Sequence, residues 1–441
     1  MSSEFCRAQL LEDGSCCLDQ IGDRSVLQRS ISRPGTSWEC IAAKGCVSEP
    51  PGLRGDDLLS IPPAATCESC RILFLHGGSW YFGSPTSTGY HVLASKLAAR
   101  TGCIVMMPDF PLLPVGDFDS MLQASIEAIV WLGSPAVLEN CQADDPAKLF
   151  VGGDSSGATT AISLILHLQS PGASMPMPKL NVAGGFMWSP WTNLMCDTPE
   201  YFTNAYSRIF NSSLGKASGH QGDILFRSPP ERNMEEFREV ALQYVGGHKQ
   251  MLLDPVASPI YASAKMLASV PPLHFLVGSE ETLLGDSVIL AQKAAASGAT
   301  IVVDIYHGMW HDFPMYSEGC GAGTELVLGT KGWDNTAEFI QSATEMRDSN
   351  GWPIIRYVYD ESLEGKTSWF MPARPLRLHG RAPQPSSFGA WPFFAGLAIG
   401  VLLSTAVFIG VTLSLTRRRN LRENGQRAVP LALEMSTRHG Y

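Results

Sequence analysis

An α/β fold, with a mostly parallel central sheet and helices on both faces, is the architecture this sequence predicts. Three observations carry it. Short apolar runs alternate with helix-patterned stretches between about residues 70 and 345, as in chains that build parallel sheets through helical crossovers. Glycine-rich turns close two of those runs, at Gly77-Gly78 and at Gly153. A long stretch without charge lies beyond the alternation and belongs to a separate element.

The elements follow in order. Residues 72–75 form a wholly apolar run, too short for a helix, and read as a strand. A helical pattern at 90–99 leads to a strand at 103–107, and one at 121–132 leads to a strand at 149–152. Helix 158–169, strands 183–188 and 273–277, helix 287–296, strand 301–306 and helix 336–346 complete the series. The interval from Cys196 to about Tyr244 is longer than a simple α/β connection. The main domain is therefore set at 70–347, with a helical cap inserted at about 196–250. Residues 1–69 show weak periodicity and read as a lead-in or part of the cap. They hold Cys6, Cys16, Cys17, Cys40, Cys46 and Cys67, but eleven cysteines in a long chain do not imply a full disulfide framework. Cys67 and Cys70 make a C-x-x-C without a second pair, a weak signal for zinc or redox chemistry.

Residues 348–389 mix Pro, Gly and Ser and read as a stalk. From Trp391 to Leu415 no residue is charged, and about 20 apolar residues suffice to span a bilayer. A transmembrane helix is expected at 390–416, followed by a basic tail at 417–441 that opens with Arg417, Arg418 and Arg419. Gly396 and Gly400 give a G-x-x-x-G through which a homodimer could pair, a spacing that also arises by chance. The arginine cluster favours a cytoplasmic tail. The absence of an apolar signal region in residues 1–20 favours tail insertion with the main domain in the cytosol. Both orientations stay open, with the endoplasmic reticulum or another endomembrane as the expected location.

Composition narrows the function classes. The 441 residues carry 32 Lys+Arg and 42 Asp+Glu, a net charge of −10, and are 45% hydrophobic and 17% charged. Intrinsic disorder needs the opposite balance, and a basic nucleic-acid surface is excluded on charge. A mean hydropathy of +0.03 excludes a multi-span membrane protein.

Chemistry is carried by three segments. Gly153-Asp154-Ser155-Ser156-Gly157 follows a strand and opens a helix, the context a G-x-S-x-G nucleophile turn requires. The turn leaves Ser155 open at the helix N-terminus. His76-Gly77-Gly78-Ser79-Trp80 follows the first apolar strand, and the backbone N–H groups of Gly77 and Gly78, with that of Ser156, could stabilise an oxyanion. An acid and then a histidine should come next in chain order. Glu280, Glu281 and Asp286 follow the strand at 273–277; His307 and His311 follow the strand at 301–306. Gly308 argues against a helix there, so the four-residue spacing of the histidines does not point to a metal.

These residues resemble the hormone-sensitive-lipase-like branch of the α/β-hydrolases, which includes bacterial family IV esterases, arylacetamide deacetylases and plant carboxylesterases. The resemblance covers roughly residues 70 to 345. It rests on His76-Gly77-Gly78 with Gly83-Ser84-Pro85, Pro108-Asp109-Phe110 with Pro114, the serine turn, Ser189-Pro190-Trp191, Asp254-Pro255, Pro271-Pro272 and Gly308-Met309-Trp310-His311. It implies an α/β-hydrolase fold with a cap, Ser155 as nucleophile, His311 as base, and Gly77 and Gly78 in the oxyanion loop. It places the acid at Glu281, where the family commonly has Asp, with Glu280 and Asp286 as alternatives. Ser79 stands where the family has a third glycine, and Phe110-Pro111-Leu112 where it has Tyr-Arg-Leu.

The expected protein is a membrane-anchored serine hydrolase of lipophilic carboxylic esters, needing no cofactor or metal and binding no nucleic acid. A non-catalytic ligand receptor on the same fold, or an amidase or acyltransferase using the same residues, is the alternative.

Overall fold

The computed structural model describes residues 27–31, 57–138, 147–169, 180–211, 216–223, 230–317, 325–343 and 353–359. All lie within Met1–Thr367, the first of two units into which the chain divides. The expected membrane span, the basic tail, most of the expected stalk, and Ser212 and Ser213 of an Asn211-Ser212-Ser213 sequon fall outside the described residues. Among the described residues no helix is long and apolar enough to cross a membrane.

Eleven strands are described: β1 (Leu27–Ile31), β2 (Asp57–Ile61), β3 (Arg71–Leu75), β4 (Ile104–Met107), β5 (Leu149–Asp154), β6 (Val182–Trp188), β7 (Ser207–Asn211), β8 (Lys216–Gln221), β9 (Leu273–Gly278), β10 (Ile301–Tyr306) and β11 (Ile354–Val358). The described helices are α1 (Thr88–Thr101), α2 (Phe118–Leu132), α3 (Ser155–Leu168), α4 (Glu200–Thr203), α5 (Pro230–Tyr244), α6 (Ala264–Leu267), α7 (Leu284–Ala296) and α8 (Val327–Ser342). Nine strands form one sheet in the order β1-β2-β4-β3-β5-β6-β9-β10-β11. β2 runs antiparallel to both its neighbours, and every pairing from β4 to β11 is parallel.

Alternation along the strands builds two cores, because successive side chains point to opposite faces. Leu73, Leu75, Val151, Phe275 and Val303 pack with Met121 and Ile129 of α2, Ile162 of α3 and Leu290 of α7. Ile72, Phe74, Phe150 and Leu276 pack on the other face with Leu93 and Leu97 of α1 and Trp333 and Phe339 of α8. From β3 the chain moves to β4 on one side and then returns to β5 on the other. That reversal opens a crevice at the carboxyl ends of β3 and β5, the position where open α/β sheets bind ligands.

The sheet runs past both boundaries set from the sequence. β1 and β2 lie in the stretch read as a lead-in, and β11 lies in the stretch read as a stalk. β2 is buried at all five positions, so it shows no polar alternation to signal a strand. β11 is an exposed edge strand whose register is fixed by its neighbour: Arg356 donates to both carboxylate oxygens of Asp304 on β10, at 2.5 and 2.8 Å. The inserted region is also not purely helical, since α4 and α5 flank an antiparallel hairpin of β7 and β8. Cys70 does not act with Cys67. It forms a disulfide with Cys103, tying the start of β3 to that of β4, and Cys67 is disulfide-bonded as well.

Candidate active site

β5 ends at Asp154 and α3 begins at Ser155, whose φ of 51° is left-handed, a strained conformation for a residue bearing a Cβ. The turn closes only because the flanking residues are glycines. A Cβ at Gly157 would run into the carbonyl oxygens of Leu75 and His76, and one at Gly153 into that of Leu75. The close approach sets the Ser155 hydroxyl at the mouth of the crevice beside the loop that follows β3.

His311, after β10, meets this hydroxyl: its Nε2 lies 2.9 Å from Ser155 Oγ. Its Nδ1 lies 3.2 Å from Glu281 Oε2. The other Glu281 oxygen accepts from the Ser189 hydroxyl at 2.8 Å and the Gly278 N–H at 2.6 Å, so the carboxylate is held from two sides. The other two acid candidates point elsewhere. Glu280 Oε2 accepts from the Gly222 N–H at 3.1 Å. Asp286 Oδ2 accepts from the Asn193 N–H at 2.8 Å and the Tyr201 hydroxyl at 3.2 Å. His307 is exposed and stacks on Tyr359. Burial opposes protonation of His311, but the hydrogen bond and charge of Glu281, with the charges of Asp223 and Asp154, outweigh it and raise its pKa above the ordinary 6.5.

The loop after β3 differs from the sequence expectation at one atom that matters. The Gly77 N–H donates to Asp154 Oδ1 at 2.9 Å and is therefore spent within the protein. Gly78, Ser79 and Trp80 all have positive φ, at 107°, 54° and 58°. Gly78 and Ser79 line the cavity at Ser155, and the Ser156 N–H has no intrahelical acceptor at the start of α3. Two contacts brace this loop from below. His76 stacks on Phe110 at 4.4 Å and its Nδ1 lies 2.9 Å from the Gly77 carbonyl, with burial lowering its pKa and keeping it neutral. The Trp80 indole stacks on Tyr244 of α5 at 3.6 Å, and its N–H donates to Thr160 at 3.3 Å.

Three further carboxyls surround the site, none singled out as functional from the sequence. Asp154 takes the Gly77 N–H and, on its other oxygen, the Tyr90 hydroxyl at 2.8 Å. Burial, and then the charge of Asp154, push the Asp312 carboxyl well above the ordinary carboxylate range. Asp223 accepts from the His311 N–H. A cavity of about 210 Å³ opens on Ser155 and His311 and is lined also by Gly78, Ser79, Tyr90 and Tyr316. Among the described residues no group of three or more His, Cys, Asp or Glu side chains is placed to hold a metal ion.

A mostly parallel sheet with a serine on a strained strand-to-helix turn, a histidine on its hydroxyl and a glycine loop alongside defines an α/β-hydrolase. The chain belongs to the family described as alpha/beta hydrolase fold, whose model matches residues 72–315. Its relatives include an acetyl-hydrolase of Streptomyces hygroscopicus, 27% identical over 62% of this chain and 76% of that protein. Arylacetamide deacetylase of Bos taurus is 24% identical over 65% of this chain and 78% of its own. Among solved structures, an esterase from the bacterial hormone-sensitive lipase family superposes with a TM-score of 0.55 at 21% identity, over 78% of this chain and 98% of that one.

Proposed function

We propose that Ser155, His311 and Glu281 form the catalytic triad of a carboxylic ester hydrolase acting on lipophilic esters with a short acyl group. The observation that carries the reading is the relay in which His311 reaches Ser155 through Nε2 and Glu281 through Nδ1. Ser155 Oγ attacks the ester carbonyl carbon as its proton passes to His311 Nε2. Gly78, Ser79 and Ser156 N–H groups receive the charge that develops on the carbonyl oxygen. Collapse of the tetrahedral intermediate expels the alcohol, which takes the proton from Nε2 and leaves an acyl-serine. Water, deprotonated by the same nitrogen, then releases the acid. Glu281 fixes the tautomer and stabilises the imidazolium.

A cavity of about 210 Å³ is below the roughly 300–1,000 Å³ of drug-sized sites, which favours a small acyl group, and two relatives are named for acetyl removal. The uncharged run of 391–415 supports a bilayer anchor, from which a lipophilic substrate would be drawn. The Cys70–Cys103 disulfide favours an oxidising compartment for the catalytic domain, which agrees with Arg417 to Arg419 on the cytoplasmic side. A glycan at Asn211, removable by endoglycosidase, would support that orientation; a reduced, unglycosylated protein in cells would overturn it.

The test of the reaction is a fluorophosphonate probe with an ester panel of increasing acyl length. Labelling of the wild type but not of Ser155→Ala, with turnover falling as the acyl chain grows, is expected. A folded wild-type protein that neither labels nor hydrolyses esters would favour a ligand receptor on the same fold.

A further inference from the structure

The inserted hairpin leaves the domain near Asn204 and returns at Asp223, and both ends grip the loop that carries Glu281. The Asn204 side-chain amide donates to the Ser279 carbonyl at 3.1 Å and the Glu281 carbonyl at 2.9 Å. The Asp223 N–H donates to the Asn204 carbonyl at 2.7 Å, closing the base of the insertion. The Asp223 carboxylate goes further than the rest. Its Oδ2 accepts from the Thr282 N–H, next to Glu281, at 3.1 Å, and its Oδ1 accepts from the His311 N–H itself at 3.1 Å. Asp223 is 0% exposed.

On the triad reading given above, we infer that Asp223 is a positioning residue: its two oxygens span the backbones of the acid loop and the histidine loop and hold the imidazole within reach of Glu281 and Ser155 together. A carboxylate suits this task because both partners are N–H donors and each oxygen can accept independently. The acid and the base lie on loops after different strands, β9 and β10, joined before His311 by the Glu280 N–H on the Met309 carbonyl and the Gly308 N–H on the Ser279 hydroxyl, each at 2.9 Å. Asp223 adds, from a third segment, the brace at the His311 N–H itself. The same carboxylate adds negative charge beside His311. The other titratable groups about the pair are Glu281, Asp154, Asp312 and Tyr316. Burial lifts Asp223 up to about 7, with the charge of His311 opposing and that of Glu281 adding. Through its charge Asp223 in turn raises the pKa of His311.

The full-length protein with Asp223→Asn tests this in p-nitrophenyl acetate hydrolysis across pH. The amide keeps the shape but offers one acceptor and one donor, so one N–H faces another N–H. A misplaced base costs up to about 10²-fold, so kcat should fall by about 10–100-fold with little change in KM. The acid limb of kcat/KM should move to lower pH, since a lost negative neighbour lowers the pKa of His311. Asp223→Glu, which keeps the charge and both acceptors, should recover the wild-type limb. A folded Asp223→Asn with wild-type kcat overturns the inference, and so does a fall in kcat with the limb unmoved, which would mark a merely structural side chain. If Asp223→Asn loses its cooperative unfolding transition, Asp223→Ser replaces it in the same comparison. Ser155→Ala run in parallel separates the two readings: turnover that survives there rejects the triad itself, whatever Asp223 does.

Discussion

The choice between Glu281 and Asp286 turns on a few ångströms that no spacing rule encodes. Both are buried carboxylates on the same loop and helix start, yet only Glu281 faces His311. Asp286 is committed to Asn193 and Tyr201, and burial pushes its pKa well above the carboxylate range. Glu281→Gln should lower kcat by about 10⁴-fold, the loss seen when the acid of such a triad becomes an amide. Asp286→Asn should leave kcat near wild type and lower only the melting temperature; the reverse pattern in steady-state assays would exchange their roles. On the proposed triad His311 sets the pH dependence: it must be neutral to accept a proton, and Glu281 and its other charged neighbours raise its pKa above the ordinary 6.5, so kcat/KM should fall as the pH drops through a value above 6.5. An acid limb below that point would show that Glu281 does not act on the imidazole. The meeting of Ser155 and His311 was legible in the sequence from the glycine-flanked turn and the chain order of serine, acid and histidine. The oxyanion donors were legible only as a loop. The Gly77 N–H is bonded to Asp154, the variable residue of the serine turn, which is why the proposed mechanism draws on Ser79 instead. Asp154, Asp223 and Ser189 left no separate signal, since a polar residue in a loop looks the same whether it is solvated or buried against a catalytic group.

At the scale of elements, the parallel strands announced themselves by apolar runs, while the edges of the sheet did not. β11 has exposed or half-buried side chains at every position, and what places it is the ion pair reaching from Arg356 to Asp304. Asp304 is fully buried between His274, 2.9 Å away, and Arg356. Burial opposes its ionisation, but the hydrogen bonds and charges of His274 and Arg356 prevail and bring its pKa down to about 2. A depressed carboxylate contributes stability that is complete above its unfolded pKa of about 3.9 and is lost as the pH falls through the folded value. Chemical denaturation should therefore show a loss of stability between roughly pH 4 and pH 2 that Asp304→Asn lacks. At neutral pH Asp304→Ala should cost more than Arg356→Ala, because it also strands the fully buried His274, whereas the Arg356 side chain is 37% exposed. An Arg356→Ala cost near zero in denaturant titrations would mean that β11 is not held by this contact. The hairpin of β7 and β8 has another reason: within a stretch expected to be helical, its large apolar residues, Ile209 and Phe210, are adjacent in sequence and give no period-2 alternation.

For the whole molecule, the reversal of strand order sets where a site can form, because it brings the loops after β3 and β5 to one crevice while the loops after β9 and β10 bring Glu281 and His311 to the same end of the sheet. Chain order alone predicted that convergence. The disulfide between Cys70 and Cys103 has no sequence signal, since its two cysteines are far apart in the chain and Cys70 sits in a C-x-x-C with Cys67. It closes a separation of 33 residues, and the chain-entropy relation gives roughly 3–4 kcal/mol for such a loop. Cys70→Ser with Cys103→Ser should lose about that much in denaturant titrations, whereas an unchanged midpoint would mean that the sheet holds the two strands without it. The stacking of Trp80 on Tyr244, with Tyr81 hydrogen-bonded to Gln243, has a consequence for inhibition. The loop of the proposed oxyanion donors and the helix α5 of the insertion share one aromatic joint, so a compound that displaces α5 to make room also displaces that loop. Tight occupancy by a bulky ligand and stabilisation of a tetrahedral adduct are then thermodynamically opposed. A small boronic acid and a large reversible ligand should each weaken the binding of the other by the same factor, even where their atoms never meet.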